Sequence, residues 1–464
     1  TSAAKLTFEP LPATGQARVT ITIDAPAASF HMPAWAPGDY ELFDYGKKIE
    51  SVEFRRGERS VLATQTVDPN RWSIDGGADF VSYIVNPGRA NFTVNLRVKP
   101  NETFVSGPAV FGWFAGHADE KQQLSVVPVP AGATLHSTLE GTGLVRTAPN
   151  YDEVIDAPFV LGDAVRTHSF TVRGKPHQII AFGANEGADL EGFARIGTAV
   201  AEQAFHLFGE LPYPRYAYFF DFGGGGGGLE HLNSTRIGLS SRATPASATG
   251  IMFHEYIHAF NVKRIRSKPL GPFDYSKPAV TGALWWLEGV TDYYADVFEA
   301  RAGFATREQF LQSLSFQVAS FERNANRLRV SADEASRRVW EVRGSQGFGI
   351  SYYAKGKLVG LCLDLALRGA TGGERSLDDV MRALWDECKD GKPGFAEGRI
   401  RDLAIQFGGA AMGPLYDRLV LEPGPLPIEE VARGAGLAWV DGRLVDDPSA
   451  NPARRKLAAA WPLK

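Results

Sequence analysis

Residues 251–261 have the sequence IMFHEYIHAFN, in which His254, Glu255 and His258 form a His-Glu-x-x-His pattern. On a helix, side chains four positions apart lie on one face, so two imidazoles with this spacing can hold one zinc ion. Glu255 projects at a neighbouring angle, from which its carboxylate could take a proton from zinc-activated water without binding the metal. The same pattern occurs on ordinary helices with two surface histidines and a glutamate. The surrounding residues are therefore needed to distinguish a zinc site from such a helix.

The residues on either side of this pattern, 251–253 and 259–260, are apolar. An unpaired histidine would be costly to bury in such surroundings. We expect the helix that carries this pattern to be broken at Gly250 and to begin after it, because glycine is unfavourable inside a helix. The apolar context therefore favours a metal site over a pair of surface histidines.

A catalytic zinc site needs three protein ligands and one open position. The segment LWWLEGVTDYY (residues 284–294) supplies Glu288, which lies 30 positions after His258 on a second apolar stretch of helical pattern. Asp292 follows four residues later on the same face, where it could accept the outer N–H of a zinc-binding histidine and fix its tautomer. A lone buried acid is more often a salt-bridge partner. Two acids in this register, with the two histidines, predict a centre that holds one zinc per chain.

The rest of the chain predicts an α+β fold. ARVTITID (residues 17–24) and NFTVNLRVK (residues 91–99) alternate apolar and polar residues, which is typical of half-buried strands. Frequent glycine and proline between such segments indicate a β-sandwich over residues 1–165. Helical periodicity begins near residue 190, and a mainly helical domain is expected over residues 166–440, with a C-terminal tail at 441–464.

Composition excludes several classes of protein. The 464 residues carry a net charge of −4 without long blocks of one sign, which does not favour nucleic acid as a partner. No run of about 18 apolar residues occurs, so we expect no membrane-spanning helix. The chain has two cysteines, too few for a disulfide framework. Cys362 lies in an apolar segment and is expected to be a buried, inert thiol.

Three segments resemble a known family. They are HEYIHAFNVKRIRSKPLGPFDY (residues 254–275), LWWLEGVTDYYAD (residues 284–296) and MPAWAPGDYELFDYGKKIESVEF (residues 32–54), the last with a Pro-x-Trp-x-Pro-Gly motif. Together they resemble the glycyl aminopeptidase family of zinc metallopeptidases, which are gluzincins related to thermolysin. The resemblance covers the chain from about residue 30 to residue 440. It implies an N-terminal β-domain, a thermolysin-like catalytic domain, and release of small N-terminal residues such as glycine and alanine from short peptides.

The resemblance also assigns roles to individual residues. It makes His254, His258 and Glu288 the zinc ligands and Glu255 the general base. The segment YYAKG (residues 352–356) is similar to the Tyr-x-Lys-Gly of aminopeptidases, which places Tyr353 as the hydroxyl that steadies the transition-state oxyanion. From the sequence alone, Tyr353 is one of 14 tyrosines and would be expected to pack.

A run of six glycines lies in DFGGGGGGLEHLNST (residues 221–235). Its end, GGLEH, is similar to the Gly-x-Met-Glu-Asn segment with which related aminopeptidases hold a substrate's free amine. An edge strand with Gly227 and Gly228 would let an extended peptide pair through its main chain. Glu230 would then offer its carboxylate to the ammonium group of a peptide with a free N-terminus. The alternative is a disordered glycine loop with a solvated glutamate.

Two other functions remain open at this stage. One is a thermolysin-like endopeptidase in which Glu230 binds no amine. The other is a catalytically silent binding protein that zinc stabilises. An intact Glu255 argues against this second function, because a structural zinc site needs no base and usually has four protein ligands.

The resemblance bears on two further points, the PDZ domain and the location of the protein. Family members commonly have a C-terminal PDZ domain, whereas here 27 residues follow Leu437, too few for one, so its role is in doubt for this chain. The resemblance favours a periplasmic or secreted location and leaves a cytoplasmic one open. The sequence does not indicate an oligomeric state.

Overall fold

The computed structural model describes residues 3–87, 94–342 and 349–463. The chain forms two compact units, each built from separate stretches. The first comprises Thr1–Arg195, Tyr213–Ala248 and Asp274–Pro278, and the second comprises Ile196–Pro212, Thr249–Phe273 and Ala279–Lys464. The domain boundaries at residues 165 and 440 stay a prediction.

The first unit is rich in strands. In chain order its described elements are β1 (Ala3–Leu11), β2 (Gln16–His31), β3 (Ile49–Arg56), β4 (Arg59–Val61), β5 (Ala63–Gln65), β6 (Arg71–Val85), β7 (Leu96–Lys99), β8 (Glu102–Val105), β9 (Trp113–Phe114), β10 (Lys121–Val126), β11 (Thr134–Ser137), β12 (Val145–Ala148), helix α1 (Tyr151–Asp156), β13 (Phe159–Gly162), β14 (Arg166–Val172), β15 (Lys175–Gly183), β16 (Tyr216–Phe222), β17 (Gly228–Glu230) and β18 (Ser234–Leu239). Two short 3-10 turns, Tyr45–Lys48 and Gly107–Ala109, connect some of them.

These strands form three sheets among the described residues. The largest has nine strands in the order β12-β10-β1-β2-β6-β3-β4, with β5 beside β6 and β9 beside β2. A four-stranded sheet has the order β11-β13-β8-β7, and a five-stranded sheet has the order β14-β15-β16-β18-β17. In the last sheet β15, β16 and β18 are parallel neighbours, whereas β14 and β17 pair antiparallel at the two edges.

The four-stranded sheet has apolar partners on both faces. On one face the ring of Phe159 in β13 lies 5.4 Å from that of Phe8 in β1, edge to face. On the other face Val160 belongs to a buried cluster with residues of the five-stranded sheet, among them Ile180 and Phe219. Because successive strand residues point to opposite faces, a strand covered on both sides is buried at every position, as β13 is. The predicted sandwich is therefore extended by a third sheet.

The sequence pattern agrees with these strands where they are described. Val19, Ile21 and Ile23 are buried along β2 and alternate with more exposed residues, as predicted. In the second predicted strand, β7 begins at Leu96, and residues 91–93 lie outside the described part of the chain. The predicted α+β class, a β-rich N-terminal part followed by a helical part, is confirmed.

The second unit is mainly helical. Helices α2 (Leu190–Phe208) and α3 (Pro245–Ile257) begin in the first unit and continue into the second. The α-helices and strands that follow are α4 (Thr291–Arg301), α5 (Arg307–Glu322), α6 (Ala332–Arg337), α7 (Tyr352–Thr371), α8 (Leu377–Cys388), α9 (Arg399–Gly408), α10 (Met412–Tyr416), α11 (Ile428–Gly434), β19 (Leu437–Val440), β20 (Arg443–Asp446) and α12 (Pro452–Ala460). Short 3-10 turns span Lys268–Leu270, Ala325–Leu328 and Arg338–Glu341, and π-helical turns span Trp285–Val290 and Asp417–Leu421.

One expectation about α3 is wrong. The helix is not broken at Gly250: it begins at Pro245, and Gly250 lies inside it. Proline suits the first turn of a helix, where its missing N–H has no partner to lose. Glycine inside a helix costs roughly 0.5–1 kcal/mol relative to alanine, which surrounding packing readily offsets.

The C-terminal residues are packed into the second unit. The Trp461 indole Nε1 donates a hydrogen bond of 3.0 Å to Oδ2 of Asp364, and its ring lies 5.0 Å from that of Phe310. Cys362 and Cys388 are both buried and form no disulfide, and burial raises the pKa of the Cys362 thiol. Nowhere in the described ranges is a helix long and apolar enough to cross a membrane.

Candidate metal centre

The residues of the predicted metal centre come from two segments of the second unit, residues 254–258 and residues 288–292. His254 lies on the last turn of α3, and His258 follows directly after the helix ends at Ile257. Glu288 lies within the π-helical turn Trp285–Val290, and Asp292 lies on the first turn of α4. A π-helical turn is a widened turn that occurs frequently at functional sites.

The structure brings three ligand atoms to one point. Nε2 of His254 lies 2.9 Å from Nε2 of His258, and Oε2 of Glu288 lies 3.1 Å from Nε2 of His258. The remaining pair, Nε2 of His254 and Oε2 of Glu288, is 3.7 Å apart. These three residues form the group that could hold a metal ion among the described residues, with ligand atoms within 4.8 Å of one another.

The outer nitrogen of each imidazole has its own partner. Nδ1 of His258 lies 2.8 Å from the main-chain oxygen of Asn261, which can only accept, so this nitrogen carries the proton. Nδ1 of His254 lies 2.8 Å from Oδ1 of Asp292. Partners of this kind fix the tautomer of a histidine and leave the Nε2 lone pair for a metal.

The charges of the centre are strongly coupled. Burial opposes ionisation of Glu288, but the adjoining imidazoles of His258 and His254 outweigh it and hold the pKa of Glu288 at about 2. Burial would also lower the pKa of His254, yet Asp292 and Glu288 raise it well above its usual value. The Glu288 carboxylate is therefore ionised beside the two imidazoles.

The residues fit a zinc ion. Two imidazole nitrogens and one carboxylate oxygen form a ligand set that catalytic zinc uses, and a three-ligand set leaves one coordination position open. Oε1 of Glu288 is buried and has no hydrogen-bond partner within the described ranges, although a buried carboxylate oxygen normally has one. A cation beside this carboxylate would supply the missing interaction.

Glu255 and Tyr353, which were predicted to act on the substrate, belong to the same unit. Glu255 follows His254 on α3 and is buried. Tyr353 is the second residue of α7, and its main-chain N–H donates a hydrogen bond of 3.0 Å to Oγ of Ser351. The centre of its ring lies 6.1 Å from the centre of the His254 ring. The structure therefore brings Tyr353 close to the first histidine.

Two glycines make this arrangement sterically feasible. A Cβ at Gly356 would collide with the main-chain oxygen of Trp285, and one at Gly289 would collide with the backbone of Gly356. Helix α7 thus lies directly against the π-helical turn that carries Glu288, backbone to backbone. This contact explains why glycine follows Lys355 in the YYAKG segment.

The glycine-rich segment lies in the first unit. Gly228–Glu230 form β17, one of the two edge strands of the five-stranded sheet. Gly223, Gly225 and Gly227 all have positive φ, a conformation that suits glycine. The Glu230 side chain is buried, with the residue 4% exposed, so the alternative of a solvated glutamate on a slack loop is wrong.

The residue that covers Glu230 was not predicted from the sequence. Gly38 has φ +88°, and a Cβ there would lie 2.8 and 2.9 Å from the two carboxylate oxygens of Glu230. Gly38 is the glycine of the Pro-x-Trp-x-Pro-Gly motif, which was noted only as a family feature. Asn261 was not predicted to have a role either, although an asparagine in so apolar a segment needs hydrogen-bond partners.

Comparison with known proteins identifies the class. Two family sequence models match the chain: the Peptidase M61 N-terminal domain over residues 7–163, and the M61 glycyl aminopeptidase over residues 247–359. Together they match more than half of the chain, and both describe peptidases, so the chain is a peptide hydrolase. The chain belongs to the M61 glycyl aminopeptidase family.

Solved structures agree with this family. The chain is similar to an aminopeptidase N family protein from Idiomarina loihiensis, with a TM-score of 0.86 and 25% identity over 94% of this chain and 78% of that one. It shares its fold with an M1 zinc metallopeptidase from Deinococcus radiodurans, with a TM-score of 0.57 and 13% identity over 92% of this chain and 95% of that one. A mutant of the latter is bound to a Tyr-Ser-Ala substrate. No protein with a curated description matches the chain.

Proposed function

We propose that the protein is a zinc-dependent aminopeptidase that releases small N-terminal residues, glycine and alanine, from short peptides. The observation that carries this proposal is the convergence of His254, His258 and Glu288 on one point beside Glu255. The centre would hold one zinc per chain. The preference for small residues rests on membership of the glycyl aminopeptidase family.

Each residue of the centre has a defined task in this proposal. When bound, zinc would polarise the first peptide carbonyl and lower the pKa of a water molecule. Glu255 takes the proton from the attacking water and delivers it to the leaving amine. The Tyr353 hydroxyl donates a hydrogen bond to the carbonyl oxygen as negative charge develops there.

Replacing Tyr353 with phenylalanine is expected to lower kcat by roughly 10²–10³-fold, the range for losing one oxyanion donor. KM should change little, because a donor that meets only the developing oxyanion does not bind the ground state. Steady-state kinetics on glycyl and alanyl amides measure both quantities. Tyr416→Phe, which removes the hydroxyl of a buried tyrosine in the same unit, is the control. A raised KM with unchanged kcat would make Tyr353 a packing residue.

We further propose that Glu230 binds the ammonium group of the substrate. Its carboxylate is buried at the end of an edge strand, where it could form a charge-assisted hydrogen bond shielded from water. The edge strand β17 could pair with an extended peptide through main-chain hydrogen bonds. A contact with the terminal amine makes the first peptide bond the one that is cut.

The experiment compares wild type and Glu230→Ala on two substrates, a peptide with a free amine and the same peptide acetylated. We expect the variant to lose about 1.5–3 kcal/mol of transition-state binding on the free peptide, the range for a hydrogen bond to a charged group. Slow cleavage of the acetylated peptide should be unchanged. An equal loss on both peptides would make Glu230 structural, and efficient cleavage of the acetylated peptide by wild type would favour the endopeptidase.

Gly38→Ala offers a second route to the same site. The new methyl group would displace the Glu230 carboxylate, so this variant should also lose activity selectively on the free peptide. Gly15→Ala is its matched control, because Gly15 has a similar φ of +75° and no atom within 4 Å of its would-be Cβ. Both variants place a Cβ at a positive φ, but only the Cβ of Gly38→Ala would contact Glu230 and its neighbour Leu229.

A further inference from the structure

Asn261 lies three residues after His258, just beyond the end of α3, and is fully buried at 0% exposure. Its main-chain oxygen accepts the hydrogen bond from Nδ1 of His258 at 2.8 Å. This bond orients the imidazole so that Nε2 points toward Glu288. The backbone of Asn261 is therefore already a partner of one ligand.

The side chain of Asn261 reaches the element that carries the third ligand. Its Nδ2 donates a hydrogen bond of 3.0 Å to the main-chain oxygen of Trp286 and one of 2.9 Å to Oγ1 of Thr291. The Thr291 hydroxyl in turn donates a hydrogen bond of 2.8 Å to the main-chain oxygen of Leu287. These contacts lie on both sides of Glu288 in the chain.

The orientation of the Asn261 amide follows from its partners. A main-chain oxygen only accepts, so the NH2 group of Asn261, and not its oxygen, must face Trp286. Oδ1 of Asn261 is buried and has no partner in the described part of the chain. A buried polar atom without a partner is costly. The amide group of Asn261 nevertheless keeps its hydrogen bonds to Trp286 and Thr291, and these leave Oδ1 unsatisfied.

We propose that Asn261 is a positioning residue of the metal centre. Its backbone orients His258 while its amide ties the end of α3 to the π-helical turn, which fixes Glu288 at 3.1 Å from His258. Asn261 does not bind the metal itself. This inference rests on the proposed zinc centre, and it predicts that loss of the amide loosens the ligand set without removing a ligand.

The test is Asn261→Ala, which removes the amide and keeps the main-chain oxygen that holds His258. Zinc affinity, measured by competition with a chromophoric chelator, is expected to fall roughly 10–100-fold, the range for an outer partner of a metal ligand. The melting temperature of the metal-free variant is measured alongside it. This second measurement separates a loss of positioning from a general loss of stability.

Asn185→Ala is the matched control. Asn185 is 3% exposed, and its Nδ2 donates to the main-chain oxygens of Ala164 and Gly183 at 3.2 and 3.1 Å, so it loses similar bonds in the first unit. This variant should lose stability and keep the zinc affinity of wild type. Asn261→Ala with wild-type affinity and lowered stability would overturn the proposal, because Asn261 would then act on the fold alone.

A second variant keeps the proposal testable if Asn261→Ala does not fold. Thr291→Val removes the hydroxyl that links the Asn261 amide to Leu287 and preserves the shape of the side chain. It should lower zinc affinity by a smaller factor, and Thr291→Ser should restore it. Unchanged affinity in Thr291→Val would also contradict the proposal. Failure of wild type to bind zinc would instead contradict the proposed function.

Discussion

Replacing Glu255 with glutamine is expected to lower kcat by at least about a hundredfold, the lower end of the effect of a positioned general base. Glutamine has nearly the shape of glutamate but cannot accept and return a proton. Because Glu255 is not one of the three converging ligands, zinc should remain bound with an affinity close to that of wild type. Steady-state kinetics on aminoacyl amides, together with the zinc content of the same sample, measure both quantities.

Glu299→Gln is the matched control for this variant. Glu299 is a partly buried glutamate of α4 that packs beside α3 at Gly250, and burial and Asp296 raise its pKa to about 7. The same substitution there should leave kcat unchanged. Near-normal turnover of Glu255→Gln with zinc bound would mean that another group moves the proton.

Replacing Glu288 with alanine is expected to abolish zinc binding under conditions that load wild type. The carboxylate is 1% exposed and is held ionised by two imidazoles, with a pKa of about 2, so its removal deletes the negatively charged member of the three-ligand set. The loss of zinc affinity should exceed the roughly 10–100-fold cost of losing an outer partner such as Asp292. Activity should fall in proportion to the zinc that is lost.

Glu102→Ala is the control for the loss of a buried carboxylate. Glu102 is 6% exposed and pairs with Arg97 in the first unit, so its removal should lower stability without changing zinc affinity. A Glu288→Ala protein that bound zinc as tightly as wild type would contradict the assigned ligand set. Elemental analysis after dialysis measures the zinc content of both variants.

Local periodicity was enough to predict much of the fold and of the candidate centre. The alternation along residues 17–24 depends only on which face of a strand is buried, and β2 follows it. The spacing of His254 and His258 likewise depends on one helical turn. Glu288 and Asp292 could be found because carboxylates in an apolar segment need a partner.

Contacts between distant segments could not be predicted in this way. The approach of Tyr353 to His254 depends on two glycine backbones, Gly289 and Gly356, that meet across separate helices. Gly38 likewise lies against Glu230, although the two residues are far apart in the chain. Helix α3 continues through Gly250, because the free-energy cost of a glycine inside a helix is small. A rule based on helix propensity alone does not include the packing that offsets this cost.

The central claim is that zinc in this centre is required for the release of N-terminal residues. The measurement that tests it most directly is a titration of metal-free protein with zinc, followed by the release of glycine from a glycyl peptide. We predict no release before zinc is added and a linear rise that ends at about one equivalent per chain, as expected for a single three-ligand site. Full activity of the metal-free protein, or saturation with no activity, would contradict the claim.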